Sequence, residues 1–148
     1  MKTLLLPALV LIVTSLRAEW PTYLHDMSRV GHTEESVPFP LALHSMFESP
    51  TPPELAWSGE DGKKFENLEL RNRITFDDVF HVAITGDRLF FGSSVDGRVH
   101  CQDLKTGKDV WTFFTMVPVR LAPMVVNDRV YVGSDDGWAY CLNAATGM

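Results

Sequence analysis

Arg88-Leu89-Phe90-Phe91-Gly92-Ser93-Ser94-Val95-Asp96-Gly97-Arg98-Val99-His100-Cys101-Gln102-Asp103-Leu104-Lys105-Thr106-Gly107 and Arg129-Val130-Tyr131-Val132-Gly133-Ser134-Asp135-Asp136-Gly137-Trp138-Ala139-Tyr140-Cys141-Leu142-Asn143-Ala144-Ala145-Thr146-Gly147 are two copies of one unit. They superimpose with a shift of 41 residues at Arg88/Arg129 and Gly92/Gly133, and of 40 at Gly97/Gly137, Cys101/Cys141 and Gly107/Gly147. The one-residue difference falls in the Ser94–Val95 turn, where insertions are tolerated. A repeat of this length built from short strands is the signature of propeller blades, each a four-stranded sheet.

Outward from the repeat, Val79–Ile84, Arg88–Ser93, Arg98–Asp103 and Asp109–Thr115 are rich in β-branched and aromatic residues and are separated by glycine turns. They make one complete meander. Pro123–Val126, Arg129–Ser134 and Trp138–Asn143 begin a second. The fold class is therefore all-β, a partial β-propeller of one complete four-stranded blade and most of a second, preceded by an irregular Pro-rich region. Asp96-Gly97 and Asp136-Gly137 suit hairpin turns with φ above zero. Gly92 and Gly133 suit a bulge or a close backbone approach.

The organisation expected is a signal peptide at 1–18, an irregular arm and Pro-rich segment at 19–75, and propeller repeats at 76–148. Lys2, the apolar run Leu4 to Leu16 and the small residues near Ala18 form the n-region, h-region and cleavage site of an export signal. The run is shorter than the roughly 20 apolar residues of a membrane span, so we expect an exported protein, periplasmic or extracellular, cut after Ala18. Residues 20–33 read as an arm lying on the repeats. Five prolines between residues 38 and 53 exclude a long helix, and alternation at Leu41, Leu43, Ser45 and Phe47 suggests a strand over 41–47. Residues 58–64 read as an exposed loop, and 65–73 as a short helical turn or an extended loop. Because a ring needs about 4–8 blades, further blades are expected beyond these two, and this segment by itself should expose sheet edges unless the Pro-rich stretch caps them.

A net charge of −6 without a basic cluster argues against nucleic acid. The two cysteines, Cys101 and Cys141, occupy equivalent positions on successive sheets, about 10 Å apart. That is too far for a disulfide, and both read as small buried hydrophobes. Five scattered histidines (His25, His32, His44, His81, His100) lack the spacing of a zinc site. Asp135-Asp136 falls at a tight turn, where Asp serves local hydrogen bonds; Asp77-Asp78 has no assigned role. Ser93, Ser94 and Ser134 lack a nucleophile motif. Aromatic residues on the strands suit packing between blades, whereas Trp138, opposite Arg98 in the first copy, suits an exposed contact.

Cys101-x-Asp103-x-x-Thr106-Gly107-Lys108-x-x-Trp111, with the glycine-containing strands around it, resembles the bacterial PQQ-like (pyrroloquinoline-quinone-type) β-propeller repeat. The opening Trp20-Pro21 with Asp26, Arg29, Gly31 and Thr33 looks like the lead-in of such proteins. The resemblance implies a tryptophan-docking motif: the Trp111 indole packs on the Thr-Gly turn of a neighbouring blade, Gly107 leaves room for a ring, and Asp103 and Thr106 fix the turn. The copies depart from the pattern in having Cys101 and Cys141 for Ala and Asn143 for Asp. The quinone-dependent dehydrogenases that share this repeat hold their cofactor against an adjacent Cys-Cys pair, which is absent here. We therefore expect no cofactor, no metal and no catalytic residue in this chain, and a non-catalytic role in protein–protein interaction or scaffolding. The alternative is the N-terminal part of a PQQ-dependent, calcium-containing alcohol dehydrogenase.

Overall fold

Short strands whose alternate residues are apolar, broken every few residues by Asp-Gly and Thr-Gly turns, can satisfy their backbone only by pairing with the next strand in sequence. The computed structural model, which describes residues 19–52, 64–65, 68–69 and 80–148, has that architecture. β1 (Lys64–Phe65) and β2 (Leu68–Glu69) form a two-residue antiparallel pairing. β3 (Val82–Thr85), β4 (Arg88–Ser93), β5 (Arg98–Asp103) and β6 (Asp109–Phe114) follow as a four-stranded antiparallel sheet in the order β3-β4-β5-β6. β7 (Met124–Val126), β8 (Arg129–Gly133) and β9 (Ala139–Asn143) form a three-stranded sheet in the same sense.

Register decides what each face carries. On the first sheet Phe90, Cys101 and Trp111 stand opposite one another, as do Gly92, Val99 and Phe113. This face meets Val125, Val130, Val132 and Leu142 of the second sheet, and the buried cluster between them is the core. The segment that connects the two sheets presses closely on the first at Gly92. A Cβ there would fall 2.3 Å from Val119 Cγ1, so of the two readings for this glycine the close approach holds. At the turns Gly97 and Gly137 have φ of +63° and +83°, conformations that side chains resist.

The arm reaches both inner strands. Trp20 and Ile84 exchange backbone hydrogen bonds of 2.9 and 2.8 Å, and Val125 N donates to Pro21 O at 2.8 Å. Asp26 Oδ1 accepts from Ser28 N and Arg29 N at 2.8 and 3.0 Å. It closes the turn over residues 26–29.

Four expectations need correction. Lys64, read as loop, and Phe65, Leu68 and Glu69, read as a helical turn or extended loop, lie in the paired strands β1 and β2. Residues 41–47 form no strand: Leu41, Leu43 and Met46 are exposed, so their alternation reflects no buried face. Cys141 is exposed, whereas Cys101 is fully buried. Cys141 lies on the face of the second sheet turned away from the first, where nothing covers it among the described residues. Phe80, His81, Thr115, Pro123, Ser134 and Trp138 lie just outside the strands expected to contain them. The export signal, Asp77-Asp78 and most of 53–79 lie outside the described residues.

Candidate functional site

The repeat builds a turn whose backbone is offered to a neighbour. In the first copy Asp103 Oδ1 accepts from Lys105 N (3.1 Å), Thr106 N (2.8 Å) and Thr106 Oγ1 (2.9 Å), and Gly107 N donates to Asp103 O at 2.8 Å. Those donors hold the Asp103 carboxyl below the usual carboxylate range, the Thr106 hydroxyl contributing most. In the second copy Asn143 Oδ1 takes the same three bonds, from Ala145 N (2.9 Å), Thr146 N (3.1 Å) and Thr146 Oγ1 (3.3 Å). An uncharged amide suffices for the geometry.

Asp103, Thr106 and Gly107 thus share one turn, and Trp111 does not join it. From β6 the indole reaches the equivalent turn of the second sheet. Its Nε1 donates to Ala144 O at 2.9 Å. Its ring covers Gly147 so closely that a Cβ there would lie 2.7 Å from Cδ2 and Cε3. Phe90 packs behind the indole at 5.9 Å between ring centroids. Two residues along β6, Phe113 meets Tyr140 edge-on at 5.3 Å.

The Asp-Gly turns are tied to the sheets by a ring on the following strand. Tyr140 OH donates to Asp136 Oδ2 at 2.6 Å, which lowers the Asp136 carboxyl and raises the Tyr140 phenol from their ordinary values. His100, at the equivalent position, bonds Asp96 Oδ2 at 3.1 Å through Nε2 and stacks on Phe91 with centroids 4.8 Å apart. The shared position gives this buried histidine the structural duty of Tyr140. Asp135 instead accepts a 2.6 Å bond from Arg120 Nε. Among the described residues no group of three or more His, Cys, Asp or Glu could hold a metal ion.

The outward face of the second sheet repeats the apolar face of the first. Tyr131, Gly133, Ala139 and Cys141 take the places of Phe90, Gly92, Val99 and Cys101, yet all four are exposed. A Cβ at Gly133 would meet nothing within 4 Å. Beside them, with Leu121, Met124 and the arm residues Tyr23 and Arg29, lies a cavity of about 650 Å³. The neighbouring Cys141 thiol raises the Tyr131 phenol from its ordinary value, while burial pushes the Cys101 thiol up to about 11. Sequence reasoning identified the turn and Trp111 but not Ala144 O as the indole's acceptor, nor any role for His44 or Phe47. The repeat could have supplied the first, since Gly147 is the copy of Gly107.

No curated protein matches the chain. Among solved structures it is similar to BamB from Moraxella catarrhalis, at 19% identity and a TM-score of 0.41 over 47% of this chain and 21% of that one. It is also similar to the quinohemoprotein alcohol dehydrogenase from Comamonas testosteroni, at 19% identity and a TM-score of 0.49 over 88% of this chain and 18% of that one. The chain thus spans about a fifth of the length of either protein. Residues 55–148 match the family model described as outer membrane protein assembly factor BamB. Because that stretch is more than half of the chain and contains both sheets, the chain belongs to this family of PQQ-like β-propeller repeats.

Proposed function

We propose that the chain is part of an exported, non-catalytic β-propeller that serves as a scaffold for protein–protein interaction, with Trp111 as the staple between its two blades. The observation that carries this reading is the pairing of faces: the Phe90–Gly92–Cys101 face of one repeat is filled by the next, and the same face recurs, open, at Tyr131, Gly133 and Cys141. Its occupant in this reading is a further repeat of the same kind, whose lead-in residue would enter the space above Gly133 as Val119 enters that above Gly92. Export is supported by the Lys2-to-Ala18 segment. The absence of a quinone is supported by the cysteines, which are free, on separate sheets and at unequal depth, a poor fit to the adjacent pair of a quinone seat.

The test is to supply the purified gene product with PQQ and Ca²⁺ and to follow dye-linked alcohol oxidation. We expect none. Turnover that depends on both additions overturns the scaffold reading in favour of a quinone-dependent dehydrogenase.

A further inference from the structure

Part of the face of the first sheet turned away from the second, around Phe91 and His100, is covered by the Pro-rich segment. His44 Nε2 donates to Leu104 O at 3.1 Å. Ser45 Cβ lies 3.7 Å from the position a Cβ on Gly107 would take. Phe47 packs at 4.9 Å on Phe91 and at 5.7 Å on His100, ring centroid to centroid. Phe91 and His100 are only 2% and 4% exposed.

Three of these four contacts have a copy 40 residues further along the chain. Leu104 O corresponds to Ala144 O, which receives the Trp111 indole N–H. Gly107 corresponds to Gly147, which the indole covers. His100 corresponds to Tyr140, on which Phe113 packs. The geometry points to residues 44–47 as an internal stand-in for the outer strand of a neighbouring blade. His44 occupies the seat of a docking tryptophan and Phe47 that of the phenylalanine beside it. A ring N–H donating to the turn carbonyl over a glycine floor is what the seat selects. The imidazole meets the first requirement but leaves the floor partly bare: Gly107 remains exposed where Gly147 is buried. The seat on the first sheet is therefore a second docking site, filled by the chain's own segment, and it takes a donor-bearing aromatic side chain. This holds whether or not the propeller is catalytic.

Two variants of the full chain test it. Cβ atoms about 3.5–4.5 Å apart are within reach of a disulfide, so Ser45→Cys with Gly107→Cys, in a Cys141→Ser background, should oxidise to an intramolecular crosslink in most molecules. Mass spectrometry with and without reductant reads this. A folded variant that does not crosslink overturns the seating. His44→Trp should dock: emission should gain a blue-shifted component, and the urea midpoint should equal or exceed the parent's. Red-shifted added emission, or a midpoint below that of His44→Ala, overturns the stand-in even if the crosslink forms. Should the double-cysteine variant fail to fold, the tryptophan variant alone decides.

Discussion

Gly107 and Gly147 offer a controlled measurement of what the Trp111 contact is worth. They are copies of one position, with φ of +65° and +74°, so alanine at either should meet a similar backbone penalty of about 1–2 kcal/mol for the left-handed conformation. Their surroundings differ. The added methyl group at Gly107 would find Ser45 Cβ at 3.7 Å, an ordinary contact, whereas at Gly147 it would lie 2.7 Å from two indole carbons. Overpacking of this kind costs about 1–3 kcal/mol. Gly147→Ala should therefore destabilise by about 1–3 kcal/mol more than Gly107→Ala. Urea titration of both variants, with midpoints compared at a common slope, measures the gap. In a Trp111→Ala background, itself about 3 kcal/mol less stable, the gap should disappear because the obstructing ring is gone. Equal costs in the parent, or a gap that survives removal of the indole, would refute the reasoning.

Asp103→Asn should keep the turn, since Asn143 makes the same bonds, but should change the pH response. A carboxyl whose folded-state pKa is depressed adds stability above its ordinary value of about 4, and loses it as pH falls through the lower folded value. The parent should therefore be destabilised on acidification more steeply than the variant, as read by urea midpoints from neutral to acid pH. Iodoacetamide at neutral pH should modify Cys141 at least tenfold faster than Cys101, whose burial both hides the thiol and keeps it protonated; peptide mapping gives the ratio, and comparable rates would contradict the register of β5 and β9. Expressed in a secreting bacterial host, the protein should be recovered outside the cytoplasm with Glu19 as its first residue, which intact mass measures.

The seven main strands were legible because they repeat. Two copies of one pattern fix the turns, and the turns fix the strand ends to within three residues, the largest difference being at the start of β3. Asp103, Thr106, Gly107 and Trp111 stand out in the sequence for the same reason, although the acceptor of the Trp111 indole belongs to the backbone and leaves little mark in a side-chain pattern. Cys141 was misjudged because equivalent sequence positions were taken to imply equivalent burial. Burial depends on what packs against a face, and the two faces have different neighbours. The segment at 41–47 failed differently. Its alternation resembles a strand, but its contacts arise from His44 and Phe47, three residues apart, and no strand periodicity places both on one face.

The two hydrogen bonds of Trp20 with Ile84, and that of Pro21 with Val125, tie the inner strands together, while Trp111 ties the outer strand of one sheet to the last turn of the other. Fastening at both rims makes the pair of sheets a wedge whose angle is set at two radii. With one fastening the sheets could rock about it, and with both the opening angle has little freedom left. In any ring of such wedges the angles must sum to a full circle, so an error of a few degrees in each accumulates into a gap or a clash at closure. By that geometry the arm, which adds no strand to either sheet, acts as a gauge of curvature. Loosening it should change how wedges assemble before it changes how each one folds.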